Sequence, residues 1–238
     1  MNYNKNNKME NKISFTIDGV QCYANPGQNI VEAAEENGIY IPTLCHLKGV
    51  IPSGSCRVCN VKINGRFMTA CTTTVNAQMA VENNTPEIDE LRKIIIETIF
   101  VSGNHYCPAC EKSGNCVLQA LGYKYRIMIP RFPFTFEEKE IDASSPKMII
   151  ERNRCVLCKR CVRTITNKDG KHYFAFENRG HHGRIIIDKD LALNMTDEEA
   201  KQAMENCPVG SLLKKEKGFN EAIGTRKYDK IPIDKQIG

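Results

Sequence analysis

Apolar and polar residues alternate at the start of the chain: ISFTIDGVQCYA, residues 13–24, carries alternating runs on both sides of Asp18-Gly19. That pattern predicts a β-hairpin. In QNIVEAAEENG the apolar positions Ile30, Val31, Ala33 and Ala34 share one helical face and Gly38 stops the run, so a short helix is expected. Strand-like runs return in VCNVKI and RFMTAC around Asn64-Gly65, followed by QMAVE. Several strands enclosing one helix predict an α+β, β-grasp type of unit over residues 12–85.

A change of period marks the next unit. Thr85 and Pro86 have the chemistry of a helix start, and Ile88, Leu91, Ile94, Ile95 and Ile99 recur at helical spacing. The spacing predicts an amphipathic helix from 86 to about 101, ending near Gly103. RIMIPRFPFTFEEKE has two prolines and no period and reads as an irregular connection. Beyond it, KMIIE and GRIIID predict strands, and TDEEAKQAMEN a helix opened by the capping pattern Thr196-x-x-Glu199. The resulting division is a polar N-terminal tail (1–11), an α+β unit (12–85), a short helical unit (86–130) and a second α+β unit with the C-terminal tail (131–238).

Composition alters this picture at one point: the chain of 238 residues holds twelve cysteines. The N-terminal MNYNKNNKMENK has no apolar core and no small-residue cleavage site, so a cytoplasmic location is expected. In that reducing compartment clustered cysteines bind metal more often than they pair. IIIETIFV, the longest apolar stretch, is interrupted by Glu97 and too short for a bilayer, so no membrane insertion is expected. The formal charge of +5 and the run Lys214, Lys215, Lys217 bring no aromatic-and-basic signature, so no nucleic-acid partner is expected and a solvated terminal segment is the favoured reading.

The cysteines fall into three groups. Cys45, Cys56, Cys59 and Cys71 follow Cys-x10-Cys-x2-Cys-x11-Cys, with Gly49, Pro52 and Gly54 in a loop able to close over a cluster. It is a lengthened version of the plant-type [2Fe–2S] spacing. Buried structural thiols or a local zinc site would account for the same residues, but the β-grasp order favours iron. RCVLCKRC supplies Cys155, Cys158 and Cys161, the start of the bacterial ferredoxin run; Ile165 stands where its fourth cysteine would be, and the Cys-Pro pair comes only at Cys207-Pro208. One [4Fe–4S] cluster with a remote fourth ligand fits this set.

Between them, GNHYCPACEKSGNCVLQ offers Cys107, Cys110 and Cys116, one ligand short of a closed site. With eight cysteines assigned elsewhere, only Cys22 is left, and its place in a predicted strand marks it as a buried thiol. His105, two residues before Cys107, is therefore the expected fourth ligand of a second [4Fe–4S] cluster, through a neutral imidazole nitrogen. His46 follows a cluster cysteine and is either a hydrogen-bond donor beside that site or an exposed ring; His172, His181 and His182 read as surface residues.

PTLCH with SCRVC, then CPACEKSGNCVLQ, then RCVLCKRCVR with CPVG, resemble the three iron–sulfur signatures at the N-terminus of the large peripheral iron–sulfur subunit of respiratory complex I. The chain stops soon after Cys207 and is most similar to the free-standing gamma or U-type iron–sulfur subunit of bidirectional NAD(P)-linked [NiFe] hydrogenases. The resemblance implies a [2Fe–2S] cluster on Cys45, Cys56, Cys59 and Cys71. It also implies a histidine-bearing [4Fe–4S] cluster on His105, Cys107, Cys110 and Cys116, and an all-cysteine one on Cys155, Cys158, Cys161 and Cys207. In the respiratory branch the histidine stands four residues before the first cysteine; the gap of two here matches the hydrogenase branch.

No dinucleotide fingerprint, nickel ligand set or further catalytic domain is visible, so no catalytic residue is assigned. The expected function is an electron relay within a hetero-oligomer, between a flavin- and NAD(P)-binding diaphorase subunit and a catalytic, hydrogenase subunit. The same module could serve a NAD-dependent formate dehydrogenase or a complex I-like NADH dehydrogenase. A zinc-stabilised interaction protein is the rival of another class.

Overall fold

The computed structural model describes residues 11–236; most of the polar N-terminal tail, residues 1–10, lies outside that range. The chain opens with β1 (Ile13–Ile17) and β2 (Val20–Ala24), paired antiparallel with Phe15 opposite Cys22. Asp18 and Gly19 both have positive φ, 50° and 79°, the backbone that lets a two-residue turn follow the twist of the strands. Helix α1 (Ile30–Glu36) starts where the Asn29 side chain accepts the Glu32 N–H, and it buries the four predicted apolar residues.

β3 (Asn60–Ile63), β4 (Arg66–Thr69) and β5 (Ala80–Glu82) complete a mixed sheet of order β2-β1-β5-β3-β4. Only the β1–β5 pair is parallel, with Ile17 opposite Val81. Phe15, Ile17, Cys22, Val61 and Val81 meet Ile30, Ala33 and Ala34 in one apolar core, which also takes in Cys59 and Cys71.

Helix α2 (Pro86–Val101) is opened by the Thr85 hydroxyl accepting the Ile88 N–H. Its buried stripe is not quite the predicted one: Ile88, Arg92 and Ile96 line it with Glu97 and Val101, while Ile94 faces out. Arg92 is interior because its guanidinium donates to Asn83 O (2.9 Å), Asn60 O (2.8 Å) and Asn83 Oδ1 (2.7 Å). Glu97 is interior because Arg131 grips it through Nε and Nη2, at 2.8 and 2.6 Å. The second pair fastens the irregular connection to the helix.

A second core gathers α2, α3 (Val117–Lys124), β7 (Met148–Glu151), α4 (Arg160–Thr164), β8 (Phe174–Glu177), β9 (Arg184–Ile187), α5 (Lys189–Ala192), α6 (Asp197–Asn206) and β10 (Leu212–Lys214), with β6 (Ile141–Asp142) outside it. β10-β7-β6 and β8-β9 form two small antiparallel sheets. The mixture is α+β. α6 carries the full capping box, Thr196 and Glu199 each bonding the other's backbone N–H. Leu44 and Val58, neighbours of Cys45 and Cys59, belong to this second core, so the first cysteine loop lies where the two cores meet.

The C-terminal segment is solvated, as expected, over residues 215–223, but it is tied down on both sides of them. Lys214 closes β10 and pairs with Asp197 and Glu216. Further on, Tyr228 donates its N–H to Gly114 O (2.9 Å) and Lys124 pairs with Asp234 (3.0 Å), laying the tail over the loop that precedes α3. No helix among the described residues is long and apolar enough to cross a membrane.

Candidate metal centres

The first cysteine set is brought together by the β3–β4 hairpin and the glycine-rich loop before it. Cys45, Cys59 and Cys71 are buried and Cys56 is partly covered. Their thiols act on one another: Cys56 and Cys71 favour the thiolate of Cys45, and Cys71 that of Cys59. These neighbours hold the Cys45 and Cys59 thiols below the usual range, and Cys56 and Cys71 are pushed up in return. Arg57 adopts φ 61°, and the N–H of Val58 turns onto the Cys56 sulfur. Gly54, at φ 60°, lies so close to Thr72 that a Cβ would stand 2.9 Å from its methyl. Without a side chain there, the loop closes over Cys71.

The second set surrounds a cavity with about 300 Å³ of empty space, lined by His105, Cys107, Cys110, Cys116, Arg154 and Gly210 among others. Burial, with Arg154 nearby, lowers the His105 pKa to about 4, so the ring is neutral at physiological pH and has a nitrogen lone pair to offer. The Phe100 ring meets it edge-on at 5.8 Å. Gly103 makes this seat: a Cβ there would come within 2.8 Å of His105 Nε2 and 2.7 Å of Asn153 O. Cys116 caps α3, its sulfur accepting the Gln119 N–H at 3.4 Å, although burial outweighs that bond and raises its thiol to about 12. Burial likewise raises Cys107 and Cys110.

Cys155, Cys158, Cys161 and Cys207 line the third cavity, of about 330 Å³ of empty space, with Val156, Ile185, Val209 and Leu212 as apolar wall. Leu157 and Lys159 take positive φ, 49° and 58°, and the chain winds so that the N–H groups of Leu157 and Arg160 point at the sulfurs of Cys155 and Cys158, two residues earlier, and that of Val162 at the sulfur of Cys161 just before it. The buried Ser211 hydroxyl beside Cys155 favours its thiolate in the same sense. Burial raises the Cys155, Cys158 and Cys161 thiols, Cys158 to about 12. Amides aimed at sulfur stabilise thiolate ligands.

The third set is the middle one in space. On one side Arg163 donates to Cys45 O (3.1 Å) and Cys158 O (3.2 Å), tying it to the first. On the other, Val117 N–H donates to Pro208 O (2.9 Å), and a Cβ on Gly210 would lie 2.3 Å from Cys110 Sγ. Among the described residues no three or more His, Cys, Asp or Glu side chains are arranged to hold one metal ion; the thiols of the second and third sets instead ring the walls of cavities. The donor set, the sulfur-directed amides and the neutral imidazole fit iron–sulfur clusters.

Of the other residues weighed from sequence, Cys22 is fully buried in the first core and takes part in no set. His172, His181 and His182 are exposed. His46 is not: it is 8% exposed, Nε2 lies 3.6 Å from Glu32, and Nδ1 has no partner. Sequence reasoning passed over Lys112, Arg154, Arg160, Arg163, Gly210 and Ser211. The signal available was the cations written between and beside the cysteines in CEKSGNC and RCVLCKRCVR.

Three family profiles match in order: a 2Fe-2S iron-sulfur cluster binding domain over residues 10–86, the NADH-ubiquinone oxidoreductase-G iron-sulfur binding region over 92–131, and the ferredoxin-like domain of NADH-quinone oxidoreductase subunit 3 over 145–213. Fold, donors and profiles together define an iron–sulfur protein related to the large iron–sulfur subunit of complex I. The chain is 46% identical over 218 residues to the NAD-reducing hydrogenase HoxS subunit gamma of Cupriavidus necator, covering 91% of this chain and 93% of that one. It therefore belongs to the gamma-subunit family of NAD-reducing hydrogenases. A crystal structure of NAD+-reducing [NiFe]-hydrogenase in the H2-reduced state contains a chain that superposes with a TM-score of 0.86 at 34% identity, covering 94% of this chain and 96% of that one. The 78 kDa subunit of NADH-ubiquinone oxidoreductase from Candida albicans mitochondria is 27% identical over 212 residues, which is 87% of this chain but 29% of that longer protein.

Proposed function

We propose that this chain is the electron-relay subunit of a cytoplasmic NAD(P)-linked hydrogenase, standing between a flavin-bearing diaphorase subunit and the catalytic subunit. In this reading a β-grasp domain holds a [2Fe–2S] cluster on Cys45, Cys56, Cys59 and Cys71. The helical unit holds a [4Fe–4S] cluster on His105, Cys107, Cys110 and Cys116, and the ferredoxin-like unit holds another on Cys155, Cys158, Cys161 and Cys207. When bound, such clusters supply reversible one-electron chemistry, with potentials set by ligand type, net charge, hydrogen bonds to sulfur and exposure.

The observation that carries the reading is the contiguity of the three donor sets, the third touching the first through Arg163 and the second through Gly210. A structural zinc protein has no need of three sites in contact; a conductor has. The protein's own work is to fix the spacing, keep water from the sulfurs and aim amides at them. Hydrogenase rather than formate dehydrogenase is favoured because the similarity to the hydrogenase gamma subunit runs the length of both chains.

The test is reactivity with and without partners. The isolated, cluster-loaded chain should take electrons from dithionite yet neither oxidise NAD(P)H nor turn over hydrogen, and NAD(P)H should reduce it once the flavin-bearing partner is added. Oxidation of NAD(P)H by the chain alone would contradict the proposal.

A further inference from the structure

Arg160 is a buried cation whose known bonds do not explain it. It is 7% exposed, lines the third cavity and stands between the ligand cysteines 158 and 161. Nη2 donates to His46 O at 2.7 Å, Nη1 reaches Asn206 O at 3.5 Å, and Nε has no partner. His46 follows Cys45 of the first set and Asn206 precedes Cys207 of the third. The guanidinium is thus held between two cysteine sets by the backbone of each. Among the described residues no carboxylate pairs with it; the acidic groups around it are the thiols of Cys158, Cys207, Cys45 and Cys56. A guanidinium stays charged in proteins, and a buried charge needs a compensating one. Among the described residues, the sulfur ligands, carrying cluster charge once loaded, are the groups placed to supply it.

We propose that Arg160 is a tuning residue shared by two cluster sites: its buried guanidinium, seated between the Cys45 and Cys155 sets, favours the one-electron-reduced state at both. The inference rests on the cluster reading above. Reducing either site adds one negative charge and makes or breaks no bond. As an electron passes between the two sites, one is oxidised and the other reduced, so the total charge facing Arg160 is unchanged. A cation serving both sites lowers the energy of the electron on either side of the step. Burial keeps this effect from being screened as a surface charge would be.

The experiment is an anaerobic redox titration of the full chain in its purified complex, following each cluster by electron paramagnetic resonance, for wild type, Arg160→Gln and Arg160→Lys. Arg160→Gln should lower the reduced-to-oxidised ratio of the first and third sites about tenfold at a fixed potential, equivalent to about 59 mV for one electron. The His105 site should move less than either. Arg160→Lys, which keeps the charge, should restore both ratios. Loaded sites that titrate in Arg160→Gln as in wild type would overturn the inference. If Arg160→Gln loses its clusters, Arg160→Lys decides: ratios close to wild type support the charge role, and a tenfold fall at both sites overturns it. Absence of iron–sulfur signals from the wild type would instead overturn the cluster reading itself.

Discussion

Gly210→Ala probes the seam between the second and third sites. Gly210 is not among the positive-φ residues, so alanine meets no backbone strain and the effect is one of space. The added Cβ would stand 2.3 Å from Cys110 Sγ, 3.3 Å from Lys112 Cβ and 3.6 Å from Arg154 Cδ. Ordinary contact begins near 3.5 Å, so the sulfur must retreat by about 1.2 Å. Lys112 blocks one direction. The backbone blocks another, since Cys110 N–H donates to Cys107 O and Cys110 O accepts from Ser113 N–H. A metal ligand tolerates only about 0.2 Å of displacement, and overpacking of this kind costs about 1–3 kcal/mol.

Gly210→Ala should therefore lose about four of the chain's irons, those of one cluster, and the His105-site resonance, with the other two signals retained. Gly122→Ala is the comparison. Its Cβ meets the Phe100 ring at 3.2 and 3.3 Å in the middle of α3, and the helix gains about 1 kcal/mol from alanine to set against that crowding. Its iron content should equal wild type. The assay is iron and acid-labile sulfide per chain after anaerobic purification. A Gly210→Ala protein with full iron and an unshifted His105-site signal would refute the steric argument.

His105→Ala should lose the same cluster or leave it labile, whereas Cys22→Ser should not; iron analysis showing an intact cluster in the first and a missing one in the second would make the thiol the ligand. Glu97→Gln removes the buried counter-charge of Arg131, so trypsin should cut sooner at Arg126 and Arg131 with iron content unchanged; equal cleavage rates would mean the ion pair does not anchor the segment. Asp142 is held below the usual carboxylate range: burial would raise it, but Ser144 and Arg152 outweigh burial. A depressed folded value gives stability that is present above the unfolded pKa of about 3.9 and lost as pH falls through the lower folded one. Urea midpoints followed by circular dichroism should therefore favour wild type over Asp142→Asn at pH 6, with the gap closing below about pH 4; a gap that persists would exclude this linkage.

Much of the fold was legible because local rules agreed with tertiary need. Asp18-Gly19 and Asn64-Gly65 both take the positive-φ turn their residues suggest, and Thr85 and Thr196 cap the helices they were expected to cap. The buried face of α2 departs from the expected one because an apolar pattern takes no account of charged residues such as Arg92 and Glu97. They are interior through partners remote in sequence: Asn60 for Arg92, and Arg131 for Glu97. The same blindness hid Arg160 and Lys112, whose partners His46 and Met204 lie 114 and 92 positions away. Helix α3 went unseen because its cap is a cysteine, Cys116, which belongs to no usual capping set. The grouping of the cysteines was legible for the opposite reason: thiol spacing within a loop is a local property, and only Cys207, which lines the third cavity, had to be found at a distance.

The central claim is that the chain holds three iron–sulfur clusters, and its most direct test is the iron and acid-labile sulfide content of the protein purified anaerobically from its host. One two-iron and two four-iron clusters require about ten irons and about ten sulfides per chain. About six irons would remove a four-iron cluster from the account, and zinc in place of iron, with no labile sulfide, would contradict it outright.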